Sequence, residues 1–416
     1  MNRRAKALKL YFREKYLKKL RGFYHADDIV KVITGVRRCG KSCLMETVAD
    51  EIKLSGVPEN NIIYINLDLR RNRGIKTADQ LESAILKRGT SPGMKYLFVD
   101  EIQNVRGFEE VVNGFRTEGG WSIFITGSNS YLLSGELMTK LTGRYIECEM
   151  FPLSFEEFES MKRFCGKDID PNPMAELNAY IVESGFPRAM FIDTLSDKRR
   201  YVTEVIDEIF KEDIRKRVKI RCRESFDTVM RYIISNIGSN TSLRNMAEEL
   251  NRTGTVVTIH TVSRYVKALV DAKILYECPR FDLKAGRAIQ GEKKYYLPDL
   301  GFFFTEESDT RIDYRPVLEN IVFVYARSLG YSVCGGRIGK LDCDFILQDM
   351  NRSYSYVQVA YSIAGNRETE DSEYRSLEAI RDNYAKYVMT TDYLLQNRKG
   401  IPNVNLIDFI NSGNVF

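Results

Sequence analysis

The sequence predicts an α/β fold with a parallel sheet at its front and further domains behind it, and three observations carry that expectation. The apolar run Ile29 to Thr34 passes directly into Gly35-Val36-Arg37-Arg38-Cys39-Gly40-Lys41-Ser42, a full GxxxxGK[ST] pattern. A second apolar run, Tyr96-Leu97-Phe98-Val99, ends in Asp100-Glu101. The length of 416 residues exceeds the size at which single cores stop growing, so two or three domains are expected.

The first element is a strand that turns through glycines into a helix beginning near Ser42. That context lets backbone N–H groups of the loop and of the helix start converge on one polyphosphate. Gly35, Val36, Arg37, Arg38, Cys39, Gly40, Lys41, Ser42 and Cys43 therefore form the expected cradle for ATP. The second element reads as a buried parallel strand whose C-terminal tip delivers two carboxylates to the crevice where such sheets bind ligands. Asp100, with Ser42, is placed to hold Mg²⁺, and Glu101 to polarise the attacking water. A third strand, Trp121 to Thr126, ends in Gly127-Ser128-Asn129, a polar tip able to touch the γ-phosphate or the water.

With these strand ends, the stretch from Gly35 to about Phe158 resembles the AAA-type P-loop ATPases of the additional-strand class. That resemblance implies a catalytic Glu on the Asp-Glu strand (Glu101), a polar sensor on its neighbour (Asn129), and a helix from Ser130 to Leu141. It also implies an arginine finger near the end of that helix, where Arg144 stands before the strand Tyr145 to Met150. Arg144 has a second reading, a surface Arg favoured at a helix C-terminus by the macrodipole. The likeness extends through Leu141-Thr142-Gly143-Arg144-Tyr145-Ile146, Phe151-Pro152-Leu153-Ser154-Phe155-Glu156-Glu157-Phe158 and Gly185-Phe186-Pro187-Arg188. These segments resemble a prokaryotic family of AAA-type ATPases bearing a C-terminal domain of uncharacterised function, whose C-terminal part resembles a winged helix followed by a restriction-endonuclease-like fold. The expected organisation is a basic N-terminal helix (1–23), an ATPase core (24–158), a helical linker or lid (159–223), a winged helix (224–305) and a restriction-endonuclease-like domain (306–416).

Composition restricts the function classes. Hydrophobic residues make up 44% and charged residues 29%, ordinary for a soluble globular chain, and no apolar stretch approaches a membrane span. A cytoplasmic protein without a membrane partner is expected. The eight cysteines have no CxxC spacing and only His25 and His260 are present, which sets aside zinc-finger and histidine-based chemistry. Cys39 and Cys43 flank the loop lysine at a helix start, which could activate a thiol, although buried structural thiols are the commoner case. The net charge is +5 and unevenly spread: residues 1–21 hold nine Lys/Arg against Glu14 alone. Such a basic amphipathic helix either lies on an anionic surface or is a solvated face docked by its apolar stripe.

The winged-helix expectation rests on an apolar helical pattern from Ser225 to Gly238, a capped helix Leu243 to Leu250, a third helix Thr258 to Ala272 and two strands, Ile274 to Phe281 and Lys293 to Leu297. His260, Thr261, Ser263, Arg264 and Lys267 form the polar side of the third helix, and Lys284, Arg287, Lys293 and Lys294 the wing. This set suits double-stranded DNA, with a protein partner as the competing reading. Further on, Glu319 in a helix, Asp344 entering a strand and Gln358 in the next strand fill three places of the nuclease-like pattern, whose resemblance implies Mg²⁺ and water activation. The motif lysine is replaced by Ala360, so the site is expected to be degenerate unless a base such as Lys340 reaches in. Helix Glu373 to Arg381 and strands Ala385 to Thr391 and Val404 to Ile407 would complete that domain. Two functions follow: a slow ATPase switch coupled to a DNA- or protein-binding module, acting as a homo-oligomer if Arg144 works in trans; or a nucleotide-gated, metal-dependent DNA nuclease.

Overall fold

The structure, a computed structural model, describes residues 10–128, 132, 141–306 and 313–416. The chain divides into two compact units, Met1–Met150 and Phe151–Phe416.

In the first unit β1 (Val30–Thr34), β2 (Ile62–Asn66), β3 (Lys95–Asp100), β4 (Trp121–Gly127) and β5 (Tyr145–Glu149) form a sheet in the order β2-β3-β4-β1-β5, every pair parallel. The order inserts β4 between the loop strand and the carboxylate strand, as the additional-strand expectation requires. Every residue of β1 and β4 is buried, which explains why these strands read as continuous apolar runs. Helices Ala78–Leu86 and Phe108–Glu118 pack Leu81, Ile85, Val112 and Phe115 against Val99, Ile123 and Ile125 of the sheet. Lys31, the polar exception in β1, is fully buried; its ammonium donates to the carbonyls of Ala26 and Ile29 and to Ser122 Oγ, and burial pulls its pKa down to about 7.

The described part of the basic N-terminal segment belongs to the first unit. Helix Glu14–Arg21 buries Tyr16, Leu17 and Leu20, and Arg21 bridges Glu14 and Glu51, so the apolar stripe docks it within the first unit. Asn129 and all of the expected helix Ser130 to Leu141 except its buried Leu132 and Leu141 lie outside the described residues.

The second unit opens at Phe151, ahead of the expected edge at 158, because the strap after β5 is tied to it. Leu153 N–H donates to the Gly185 carbonyl (2.7 Å), the Tyr180 hydroxyl donates to the Leu153 carbonyl (3.0 Å), and Phe155 and Phe158 pack on Tyr180. Helices Phe155–Phe164, Pro173–Glu183 and Leu195–Ile209 follow, then Arg223–Ser235, Leu243–Arg252 and Ile259–Asp271.

Its strands are β6 (Thr241–Ser242), β7 (Tyr276–Asp282), β8 (Arg287–Tyr296), β9 (Ser332–Ile338), β10 (Leu341–Gln348), β11 (Tyr354–Val359), β12 (Ala385–Thr390), β13 (Asn397–Arg398) and β14 (Ile401–Asn405). Among the described residues they form one sheet in the order β13-β14-β12-β11-β10-β9-β7-β8-β6. The sheet runs straight through the expected boundary at 305/306, since β7 pairs in parallel with β9 and buried Arg280, ion-paired with Glu292 on its own side, binds Asp342 across the join. Helix Tyr314–Leu329, the antiparallel meander β9-β10-β11, helix Arg367–Glu378 and β12 parallel to β11 give an α-β-β-β-α-β order. The expected strand Val404 to Ile407 is corrected: β14 ends at Asn405, whose side chain accepts from Asp408 N–H and caps helix Leu406–Asn411. Among the described residues no helix is long and apolar enough to cross a membrane.

Candidate nucleotide site and a buried ionic cluster

The loop between β1 and helix Lys41–Leu54 owes its shape to glycines at two points. Gly35 has φ +144°, and a Cβ there would stand 2.1 Å from the Met150 carbonyl, so only glycine fits. Gly40 is left-handed at φ 110° and leads into the helix, whose start has no side-chain cap. The orphan N–H groups of that first turn are therefore available to an anion. Lys41 is buried, and its ammonium lies 3.1 Å from the Gly35 carbonyl and 3.2 Å from that of Val36, inside the loop it would serve. Val36 and Cys39 are fully buried and fix the loop from below; burial pushes the Cys39 thiol up, the opposite of an activated thiolate. Arg13, which sequence reasoning did not single out, donates to the Cys39 carbonyl at 3.2 Å and steadies the peptide just before Gly40.

Opposite the loop, Asp100 ends β3 with no exposure. Thr126 Oγ1 donates to its Oδ1 (2.5 Å) and Asn66 Nδ2 to its Oδ2 (2.8 Å), while the Ser42 hydroxyl also bonds to the carboxylate. Burial raises the Asp100 pKa, with the Glu101 charge adding to it; the hydrogen bonds from Thr126 and Ser42 oppose both. Glu101 follows in a left-handed conformation (φ 56°), and its N–H donates to the same Thr126 hydroxyl at 2.9 Å. One threonine on β4 thus fixes both carboxylate-bearing residues of β3. Thr126 could have been noted as the last residue before Gly127-Ser128-Asn129. Asn66 had no local signal, because only the register that sets it beside Asp100 reveals it.

The donor set fits Mg²⁺. Asp100 and the Ser42 hydroxyl would offer hard oxygen donors, and a buried carboxylate is costly without a counter-charge. Among the described residues no group of three His, Cys, Asp or Glu could hold a metal unaided.

Arg144 is exposed and lies elsewhere. It precedes β5, whose first residue Tyr145 is in register with Val30 at the start of β1, whereas the loop follows the far end of β1 at Thr34. The strand between them spans about 16 Å, which sets Arg144 apart from the loop of its own chain.

In the second unit Glu319, Asp344 and Gln358 are brought together, but by partners the sequence did not single out for this role. Lys294, expected on the wing, turns inward from β8: its ammonium is 2.9 Å from Glu319 Oε2 and 3.4 Å from Asp344 Oδ1. The Tyr296 hydroxyl donates to Glu319 at 2.8 Å, and Arg315 reaches Glu373 at 3.1 Å, Glu319 at 3.7 Å and Asp344 at 3.9 Å. Gln358 spends its carbonyl on Asp344 N–H and Ser376 Oγ. Lys340, in the exposed turn between β9 and β10, does not enter the cluster. Burial, then the nearby Asp344, raises Glu319 to about 7; Lys294 titrates above its ordinary range because those two carboxylates outweigh its own desolvation.

The sheet order, the loop and the tip of β3 define an AAA-type P-loop ATPase class. Residues 27–159 match the family model described as an AAA domain, and residues 174–306 match one described as a domain of unknown function. The chain belongs to the family of an uncharacterized protein of Haemophilus influenzae, with which it is 32% identical over 401 residues, 96% of this chain and 98% of the relative. An uncharacterized protein of Methanocaldococcus jannaschii is 29% identical over 364 residues, 85% of this chain and 79% of that one. Among solved structures the Walker-type ATPase of Pyrococcus abyssi matches with 16% identity and a TM-score of 0.48, covering 71% of this chain and 95% of that chain.

Proposed function

We propose that this protein is a slow ATPase switch, hydrolysing ATP with Mg²⁺ at the loop and coupling nucleotide state to a DNA-binding second unit. The observation that carries the reading is Thr126 holding Asp100 and Glu101 together beside Lys41 and Ser42. Lys41 would leave the loop carbonyls for the β- and γ-phosphates, and Glu101 would orient water for in-line attack. Ser42 and Asp100 would hold Mg²⁺, which would supply charge neutralisation on the transferring group. Asn129 would contact the γ-phosphate, and Arg144 would act on the loop of a second copy.

The DNA reading is supported by the three helices Arg223–Ser235, Leu243–Arg252 and Ile259–Asp271 with the β7–β8 hairpin after them, a winged-helix order. His260, Ser263, Arg264 and Lys267 are exposed on the third helix, and Lys284 and Arg287 on the hairpin. Lys267 is ion-paired with Asp271 and Lys293 with Glu277, which makes Arg264, Lys284 and Arg287 the foremost phosphate contacts. The α-β-β-β-α-β order supports a restriction-endonuclease-like domain. In it, Lys294 and Arg315 neutralise the carboxylates from within, so the domain grips or transmits and does not cut.

A second reading has one observation in its favour. Lys294 brings a buried ammonium to Glu319 and Asp344, the kind of group that Ala360 fails to provide. The test is ATP hydrolysis with and without double-stranded DNA, together with cleavage of that DNA in Mg²⁺ or Mn²⁺. DNA-stimulated hydrolysis without cleavage supports the switch; cleavage that disappears in Asp344→Ala installs the nuclease.

A further inference from the structure

We infer that Gln103 is a positioning residue for Glu101, an amide clasp that fixes which way the carboxylate faces during ATP hydrolysis; the inference rests on the ATPase reading above. Gln103 lies in the short 3₁₀ turn Ile102–Asn104 that follows Glu101. Because Glu101 has a left-handed backbone (φ 56°), the chain folds back and sets the two side chains against each other. Gln103 Nε2 donates to Glu101 Oε2, and also to Ser128 Oγ on the neighbouring strand end at 3.3 Å. One amide thus ties the tip of β3 to the tip of β4.

The orientation of the amide is fixed by charge. Turning it over would press Oε1 against the carboxylate, and a carboxylate accepts only from donors. The consequence is that Gln103 Oε1 is buried with no hydrogen-bond partner, a state that costs about 1–3 kcal/mol. That oxygen lies 3.0 Å from where a Cβ at Gly127 would sit, so the absence of a side chain at Gly127 leaves it room. A left-handed non-glycine residue and an orphaned buried carbonyl, side by side at the end of β3, are unfavourable features that persist where surrounding structure enforces them, which is the mark of a functional site. With Oε2 engaged by Gln103, Oε1 of Glu101 is the oxygen left to orient water. Without the clasp, the carboxylate would sample several rotamers.

The test uses the full chain with saturating ATP and Mg²⁺. Gln103→Leu, close in size, and Gln103→Glu, which at neutral pH offers no donor and adds a like charge, should each lower kcat about tenfold to a hundredfold, the equivalent of one hydrogen bond to a charged group. ATP affinity should stay at the wild-type value, because Gln103 does not touch the loop. In a Glu101→Gln background, adding Gln103→Leu should leave the residual single-turnover rate unchanged. Wild-type kcat in both single variants, or an equal further loss in the Glu101→Gln background, overturns the clasp while leaving the ATPase reading intact. No turnover by the wild-type chain removes the ATPase reading, and the clasp with it.

Discussion

Thr126 Oγ1 sits 2.5 Å from Asp100 Oδ1 and accepts the N–H of Glu101 at 2.9 Å, so a single hydroxyl on one strand sets the geometry of both acids on the next. Thr126→Val keeps the shape and removes the hydroxyl. The buried N–H of Glu101 then loses its partner, at a cost of about 2 kcal/mol. The expected result is a lower thermal midpoint and turnover reduced at least about tenfold. Unchanged turnover in Thr126→Val, measured under saturating ATP, would separate this hydroxyl from the chemistry.

Arg144 stands at the opposite end of β1 from the loop, so any role in hydrolysis must be across an interface between copies. Specific activity should rise with protein concentration, and Arg144→Ala should lower turnover with little change in ATP affinity. Activity per molecule that is constant over the concentration range, with Arg144→Ala fully active, would make it a surface residue.

The extent to which the sequence was legible follows from how local each signal is. The loop, Asp100 and Glu101 could be read because a strand, a glycine turn and a helix start occupy consecutive residues. Thr126, Asn66 and Arg13 could not, because each reaches the site from a distant segment through strand register or helix docking. Lys294 misled for the opposite reason: beside Lys293 and near Arg287 it looks like wing surface, yet strand alternation points Lys293 out and Lys294 in. The expected break at 305/306 failed because β7 and β9 join through backbone pairing, which leaves no composition signal. The strand β9 was unforeseen.

The ionic cluster makes a prediction about pH. Glu319 is raised to about 7 by burial and by Asp344, above the value of an unfolded chain, so the folded state binds the extra proton. Its contribution is fully present below about pH 4.5 and is lost as pH rises through about 7. Stability should therefore fall over that window, and Glu319→Gln should flatten the slope. Thermal midpoints of both proteins from pH 5 to pH 8 check it; parallel curves would contradict it.

DNA binding by the second unit should weaken with salt, with a log–log slope near −0.9 per neutralised phosphate. Replacing Lys284 and Arg287 together by Ala should flatten that slope by about two. Lys293→Ala should change it less, since Lys293 is already paired with Glu277. No binding to duplex DNA at low salt would turn this module into a protein-contact surface.

The most direct measurement is nucleotide binding and turnover by the full chain, compared with Lys41→Ala and Glu101→Gln. The wild type should bind ATP with Mg²⁺ and hydrolyse it slowly. Lys41→Ala should lose binding, because it removes the point charge on the β- and γ-phosphates. Glu101→Gln should bind as the wild type does and fail to turn over. ATP affinity in Lys41→Ala equal to that of the wild type, or full turnover in Glu101→Gln, would contradict the assignment of this site.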